Sequence, residues 1–216
     1  MKYAVLGTGS VGRTLGRKLV ELGHEVVMGS RSAENAEGVK WAAETGGRIA
    51  TFADAAAFGE VILNATSGMG TLAALEAGGD QTVDGKILID VSNPLDFSKG
   101  MPPTLSVCND DSLGEQVQRR FPKARVVKTL NTVSALLMTA PGLAPRPHTV
   151  FIAGEDDSAK EHVRALLVSL GWEDAEILDL GGIETARGTE MYMALWLRLA
   201  ARLGNWTTTV RVVHGT

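Results

Sequence analysis

Cysteine is almost missing from this chain. Cys108 is the one thiol in 216 residues, which excludes an intrachain disulfide and fits a reducing compartment. Histidine is sparse and scattered: His24, His148, His162 and His214 stand in no ligand spacing, so no metal centre is predicted. No apolar run approaches the roughly 18 residues of a membrane span. The N-terminus opens on a predicted strand without a signal-peptide pattern, and the expectation is a cytoplasmic protein with no membrane partner. An excess of one charge is missing as well. The formal net charge is −4, which excludes a field that would gather nucleic acid. The basic stretch Arg119–Arg125 reads as a solvated helix end. There is no internal repeat and no low-complexity linker.

One further absence is local. The second predicted strand, Glu25 to Met28, runs into Gly29-Ser30-Arg31-Ser32 with no carboxylate. What precedes it is a nucleotide-binding pattern. Tyr3-Ala4-Val5-Leu6 reads as a buried strand, and Gly7-Thr8-Gly9-Ser10-Val11-Gly12 is GxGxxG. Val11, Leu15, Leu19 and Leu22 then recur at helical spacing until Gly23. In this strand–turn–helix setting Gly7 permits the tight turn, Gly9 lets the backbone approach a pyrophosphate, and Gly12 lets the helix pack on the strand. An NAD site places an acid on the ribose 2′-hydroxyl, and a 2′-phosphate would be repelled by it. Arg31 offers phosphate a bidentate contact, and Ser30 and Ser32 offer hydroxyls. The stretch therefore predicts NADP(H).

Further strands are predicted at Arg48–Phe52, Val61–Ala65, Ile87–Val91, Val126–Thr129, Thr149–Ile152 and Glu176–Leu180, with helices around Ala33–Ala43, Thr71–Ala77, Ser112–Phe121, Thr132–Met138 and Ser158–Leu170. Ser112 with Glu115, and Ser158 with Glu161, have capping-box spacing. The last helix is predicted over Ile183–Leu203, with Met191, Leu195, Leu199 and Leu203 along one face. So much apolar surface predicts burial on more than one side. The fold class is α/β: a Rossmann-type, doubly wound parallel sheet with a small C-terminal α/β extension ending in a long helix. A soft boundary near residue 130 divides an NADP-binding domain, 1–130, from an extension, 131–216, that completes the acceptor site.

GTGSVG (7–12), GHEVVMGSRS (23–32), LIDVSNPL (88–95), SLGE (112–115), VVKTLNTV (126–133), VFIAGEDDSAK (150–160) and LDLGGIETARGTEMY (178–192) follow in this order. Together they resemble the NADPH-dependent deazaflavin reductases, which pass hydride between NADP and coenzyme F-420. The same fold supplies the cytosolic domain of six-transmembrane metalloreductases. The resemblance implies NADP contacts at Thr8, Gly9, Ser10 and Val11 and 2′-phosphate contacts at Ser30 and Arg31. Asn35 stands where some members carry a lysine. Ala65, Thr66 and Ser67 stand where several members have an apolar segment near the nicotinamide ribose. Asn131 replaces a histidine of the deazaflavin reductases, and Thr132 and Val133 fall where the second ring system lies. The resemblance also implies a homodimer.

Asn93 ends the fifth strand on the sheet edge where ligands bind in such folds. It is predicted either to hold the ribose or carboxamide or to make an Asn turn before Pro94. Lys128 lies deeper and is expected to pair with Asp90 or Glu190. No side chain is assigned a catalytic role, because hydride transfer between stacked rings needs position and exclusion of water more than an acid. The lack of an obvious proton donor argues against carbonyl reduction. The sequence reading is an oxidoreductase that passes hydride between NADP(H) and a small-molecule acceptor, either coenzyme F-420 or a flavin. An NADPH-dependent flavin or ferric reductase, and an NADPH-binding sensor without turnover, are the alternatives.

Overall fold

Tyr3 and Val5 face one side of the sheet while Ala4 and Leu6 face the other, and all four are buried. A strand buried on both faces has no polar alternation to show. The same holds for most of the central sheet in the computed structural model, which describes residues 1–215. Thr216, the last residue of the predicted extension, lies outside the described residues.

The elements follow in chain order as β1 (Lys2–Leu6), α1 (Ser10–Glu21), β2 (Glu25–Ser30), α2 (Ala36–Thr45), β3 (Arg48–Thr51), α3 (Phe52–Phe58), β4 (Val61–Asn64), α4 (Thr71–Gly78), α5 (Asp80–Val83) and β5 (Ile87–Asp90). A small hairpin, β6 (Leu95–Asp96) and β7 (Thr104–Leu105), precedes α6 (Leu113–Arg120) and β8 (Arg125–Thr129). The chain continues through α7 (Ala135–Thr139), β9 (Val150–Ala153), α8 (Asp157–Ser169), β10 (Ile177–Asp179) and α9 (Ala186–Leu203).

The eight-stranded sheet has the order β10-β9-β8-β5-β4-β1-β2-β3. All its pairings are parallel except β8 with β9. The strand order reverses between β1 and β4, which opens a crevice at the carboxyl ends of these strands. One core, around Leu15, Leu19, Trp41, Leu137 and Val163, covers the first face. A second, around Ala55, Leu75, Val117, Phe121 and Ile183, covers the other. The fold matches the predicted doubly wound class, with an antiparallel departure at β9.

Local differences from the sequence reading have physical causes. Helix α8 is capped by Asp156, whose carboxylate accepts from Ala159 N at 2.8 Å, rather than by Ser158, which donates to Asp156. An ionised carboxylate is the stronger acceptor for the first-turn amides. Helix α9 turns Met193, Trp196, Leu197 and Ala200 inward. The stripe predicted from spacing is the outer one: Met191 is 36% exposed, Leu195 55% and Leu203 64%. Trp196 is covered by its own chain, where its indole N–H donates to Thr208 O and its ring meets Trp206. Among the described residues no helix is long and apolar enough to cross a membrane.

Candidate cofactor and acceptor site

The crevice begins at the turn after β1. Gly7 has φ +116°, a conformation that L side chains rarely adopt, and its N–H donates to Gly29 O. A Cβ on Gly12 would stand 2.1 Å from Gly7 O, so a side chain there would push α1 off the strand. At Gly9 a Cβ would meet nothing within 4 Å; the space in front of α1 is open. Helix α1 starts without a side-chain cap and without an acid in its first turn. Helices α2, α3, α6 and α8 are capped by Asn35, Thr51, Ser112 and Asp156, while α4, α5, α7 and α9 share the lack of a side-chain cap with α1. The first amides of α1 thus point to open space with the positive end of the helix dipole behind them, an arrangement that takes an anion.

From this turn a cleft of about 1220 Å³ runs past the end of β2 to α3 and α4. Gly7, Thr8 and Gly9 line it, as do Ser30, Arg31 and Ser32, and Ala65, Thr66 and Ser67. Ser10, Val11 and Gly12 form the first turn of α1 beside it. Ser30 is buried; its hydroxyl donates to Ser32 O at 2.7 Å and accepts from Ser32 N at 3.2 Å. These bonds fix the loop that carries Arg31. Arg31 is exposed and has no ion pair among the described residues. Asn35, in the lysine position of some relatives, is committed to capping α2: its amide oxygen accepts from Gly38 N at 3.0 Å.

Sequence reasoning missed the opposite wall, formed by Thr51, Phe52 and Ala53 together with Ala73, Ala74 and Ala77. The alanine-rich start of α3 carries little periodic signal. A signal was nevertheless present: Thr51 accepts from Asp54 N at 3.1 Å, a cap at the usual spacing with aspartate in place of glutamate.

Asn93, Asn131 and Thr132 lie at the ends of β5 and β8, on the same sheet edge as the cleft but not on its wall. The two amides hold each other. Asn93 Nδ2 donates to Asn131 O at 2.8 Å, and Asn131 Nδ2 donates to Asn93 Oδ1 at 3.0 Å. Leu130, just before, has φ 58°, which turns the chain so that Asn131 meets Asn93. Beyond this pair, Thr132 Oγ1 and Ser134 Oγ are buried without a hydrogen-bond partner. Gly68 packs against the backbone of Asn93, where a Cβ would stand 2.0 Å from Asn93 O.

Beneath this edge the register aligns Leu6, Asn64, Asp90 and Lys128 in one row across four strands. Asn64 Nδ2 donates to Asp90 Oδ1 at 2.8 Å, and Thr66 Oγ1 donates to Asn64 Oδ1 at 2.7 Å. Lys128 Nζ meets Asp90 Oδ2 at 2.8 Å, Glu190 Oε1 at 2.7 Å and Ser92 O at 2.7 Å. Burial alone would lower the Lys128 pKa. The two carboxylates outweigh it and raise the pKa, so the ammonium stays charged. Lys128 is therefore a structural tie holding the loop that ends in Asn93, and both of its predicted partners are used.

The family model for NADP oxidoreductase, coenzyme F420-dependent, matches residues 2–94. The F420-dependent NADP reductase of Methanothermobacter marburgensis is 30% identical over 214 residues, covering 92% of this chain and 92% of that protein. Metalloreductase STEAP3 of Rattus norvegicus is 32% identical over 200 residues, covering 92% of this chain; the chain spans 37% of that protein's length. Among solved structures, one from Arthrobacter sp. FB24, provisionally named an F420-dependent NADP-reductase, is 49% identical. Its TM-score is 0.95, and the match covers 99% of this chain and 100% of that one.

Proposed function

Because this chain belongs to the coenzyme F420-dependent NADP oxidoreductase family, we propose that it passes hydride between NADP(H) and a flavin-like acceptor, with a deazaflavin of the coenzyme F420 type as the partner. The observation that carries this reading is the cleft itself. It joins an uncapped helix N-terminus to a carboxylate-free strand end with a free arginine, and those features fit a dinucleotide bearing an extra phosphate.

The amides of Gly9 to Val11 hold the pyrophosphate, and Gly9 leaves room for it. Arg31 takes the 2′-phosphate, with Ser30 ordering the loop and Ser32 beside it. Ala65, Thr66 and Ser67 flank the nicotinamide ribose, and Thr66 is fixed there by Asn64. The reduced nicotinamide supplies the hydride when bound. The Asn93–Asn131 pair forms the floor of the acceptor end, and the buried hydroxyls of Thr132 and Ser134 lie behind it without hydrogen-bond partners. No acid is required of the chain, because a flavin-like ring takes hydride without developing an alkoxide. The extension 131–216 completes this end of the site and supplies a dimer face along Met191, Leu195 and Leu203. The reading places the protein in the cytoplasm, where small soluble cofactors meet it.

The test is steady-state oxidation of NADPH, read by nicotinamide absorbance, with coenzyme F420, FMN, FAD and a ferric chelate offered in parallel and each repeated with NADH. Turnover with the deazaflavin and NADPH supports the proposal. A second reading, reduction of flavin or ferric iron, is favoured by the 32% identity to the metalloreductase, and turnover with FMN, FAD or ferric chelate instead would select it. Tight NADPH binding with no turnover on any acceptor would move the protein to a sensor role.

A further inference from the structure

Two charged residues line the cleft, Arg31 and Glu34. Glu34 stands on the loop between β2 and α2, two residues beyond Ser32, and it is exposed. The hydroxyl of Ser32 donates to the Glu34 carboxylate, and Glu34 N donates to Ser32 Oγ at 3.1 Å. A serine hydroxyl has one proton to give. The Ser32 proton is given to Glu34, and the Ser30 proton is given to Ser32 O. Neither hydroxyl is a free donor. The Glu34 carboxyl also sits below its ordinary range, first because of the Ser32 hydrogen bond, so it is an anion at neutral pH.

This creates a conflict at the place proposed for the 2′-phosphate. One cation faces one anion there, so the loop presents no net positive charge to a group that is itself doubly negative. The phosphate must compete with Glu34 for the Ser32 proton and must approach a like charge. A ribose 2′-hydroxyl has neither difficulty, since it can donate to a carboxylate.

We propose that Glu34 opposes the 2′-phosphate and so sets how far the site prefers NADP(H) over NAD(H). This rests on the NADP reading of the cleft. Arg31 draws the phosphate in, Glu34 weakens its hold, and the ratio of the two dinucleotide affinities is their difference. In this arrangement the preference is a tuned quantity of one loop.

The experiment titrates the full-length protein and its Glu34→Gln variant with NADPH and with NADH by calorimetry, at low and at high salt. Because Glu34 is exposed, its substitution leaves the core untouched. The expected result is that E34Q tightens NADPH by about three- to fivefold at low salt, the size of a partly screened charge interaction. NADH should be unchanged or slightly weakened, since its 2′-hydroxyl loses a carboxylate to donate to, and the gain for NADPH should shrink at high salt. An equal change for both dinucleotides, or weaker NADPH binding in E34Q, overturns the proposal; the latter would make Glu34 an ordering residue for the phosphate loop. Arg31→Ala is titrated alongside. If that variant leaves NADPH affinity unchanged, the phosphate does not bind at this loop, and it is the NADP reading that fails.

Discussion

Lys128 Nζ lies 2.7 Å from Glu190 Oε1, and both side chains are withdrawn from solvent. The bond joins the sixth parallel strand to the C-terminal helix at the base of the proposed acceptor end. Glu190 also accepts from Leu113 N at 2.8 Å and Gly114 N at 3.0 Å, so its charge is shared with the N-terminus of α6. Asp90 takes Asn64 and Ser92 in addition to the lysine. Removing the lysine leaves two buried carboxylates facing each other, whereas removing one carboxylate leaves the lysine still paired. Lys128→Met should therefore destabilise the protein by about 3–5 kcal/mol, and Glu190→Gln by clearly less. Thermal unfolding checks this. A loss for K128M no larger than for E190Q would mean that the cluster does not act as a charge-balanced unit.

Among the described residues Arg31 is the one cation on the cleft wall. Replacing it with alanine should raise the KM for NADPH about tenfold, equivalent to about 1.4 kcal/mol. The KM for NADH should move little, because NADH has no 2′-phosphate for Arg31 to hold. Steady-state kinetics with both dinucleotides makes the measurement, and equal increases would remove Arg31 from the phosphate site.

The phosphate turn and the succession of strands along the chain were legible in the sequence because local rules dictate them. Gly7, Gly9 and Gly12 sit between an apolar strand and a periodic helix, and β1, β4 and β5 are short apolar runs between turns. The Lys128 pairing was also legible, since a lysine amid Val126, Val127 and Thr129 needs an acid, and Asp90 stands at the same level of the neighbouring strand. The remainder depends on distant contacts. Asn93 and Asn131 were each legible as strand-end amides, but their mutual bond follows from sheet register. The direction of α9 was not legible: two apolar stripes share that helix, and only the packing of Trp196 against Trp206 and Leu95 selects the inner one. The wall at Phe52 and Ala53 was hidden in an alanine run, and Glu34 fell inside the helix predicted around Ala33–Ala43, which begins only at Ala36.

Asp111 gives a pH-dependent expectation. Arg119 grips its carboxylate at 2.9 and 2.8 Å, and with Gln116 this holds the pKa at about 2, below the ordinary 3.8. A depressed carboxylate stabilises the fold above its unfolded pKa, and that contribution fades as the pH falls from about 3.8 toward about 2. Arg119 is exposed, so the contribution is at most about 1 kcal/mol. Asp111→Asn should be slightly less stable than the parent at neutral pH, with the gap closing across that acid window. Denaturant unfolding at stepped pH tests it, and a gap that is constant with pH would assign the loss to packing.

The outer stripe of α9 gives the last expectation. Leu195 is 55% exposed and Leu203 64%, with Met191 beside them, a row of apolar groups on a helix whose opposite face is already filled by Trp196 and Leu197. A second copy of the chain laid against this stripe would bury the same residues from both sides, as a two-fold interface requires. Leu195→Glu puts a charge at the centre of that contact, where it would be desolvated without a partner, while leaving the inner face untouched. The parent protein should scatter as a dimer and L195E as a folded monomer of unchanged NADPH affinity, since none of Met191, Leu195 and Leu203 lines the cleft. A parent protein that scatters as a monomer at assay concentration would show that the stripe is simply exposed.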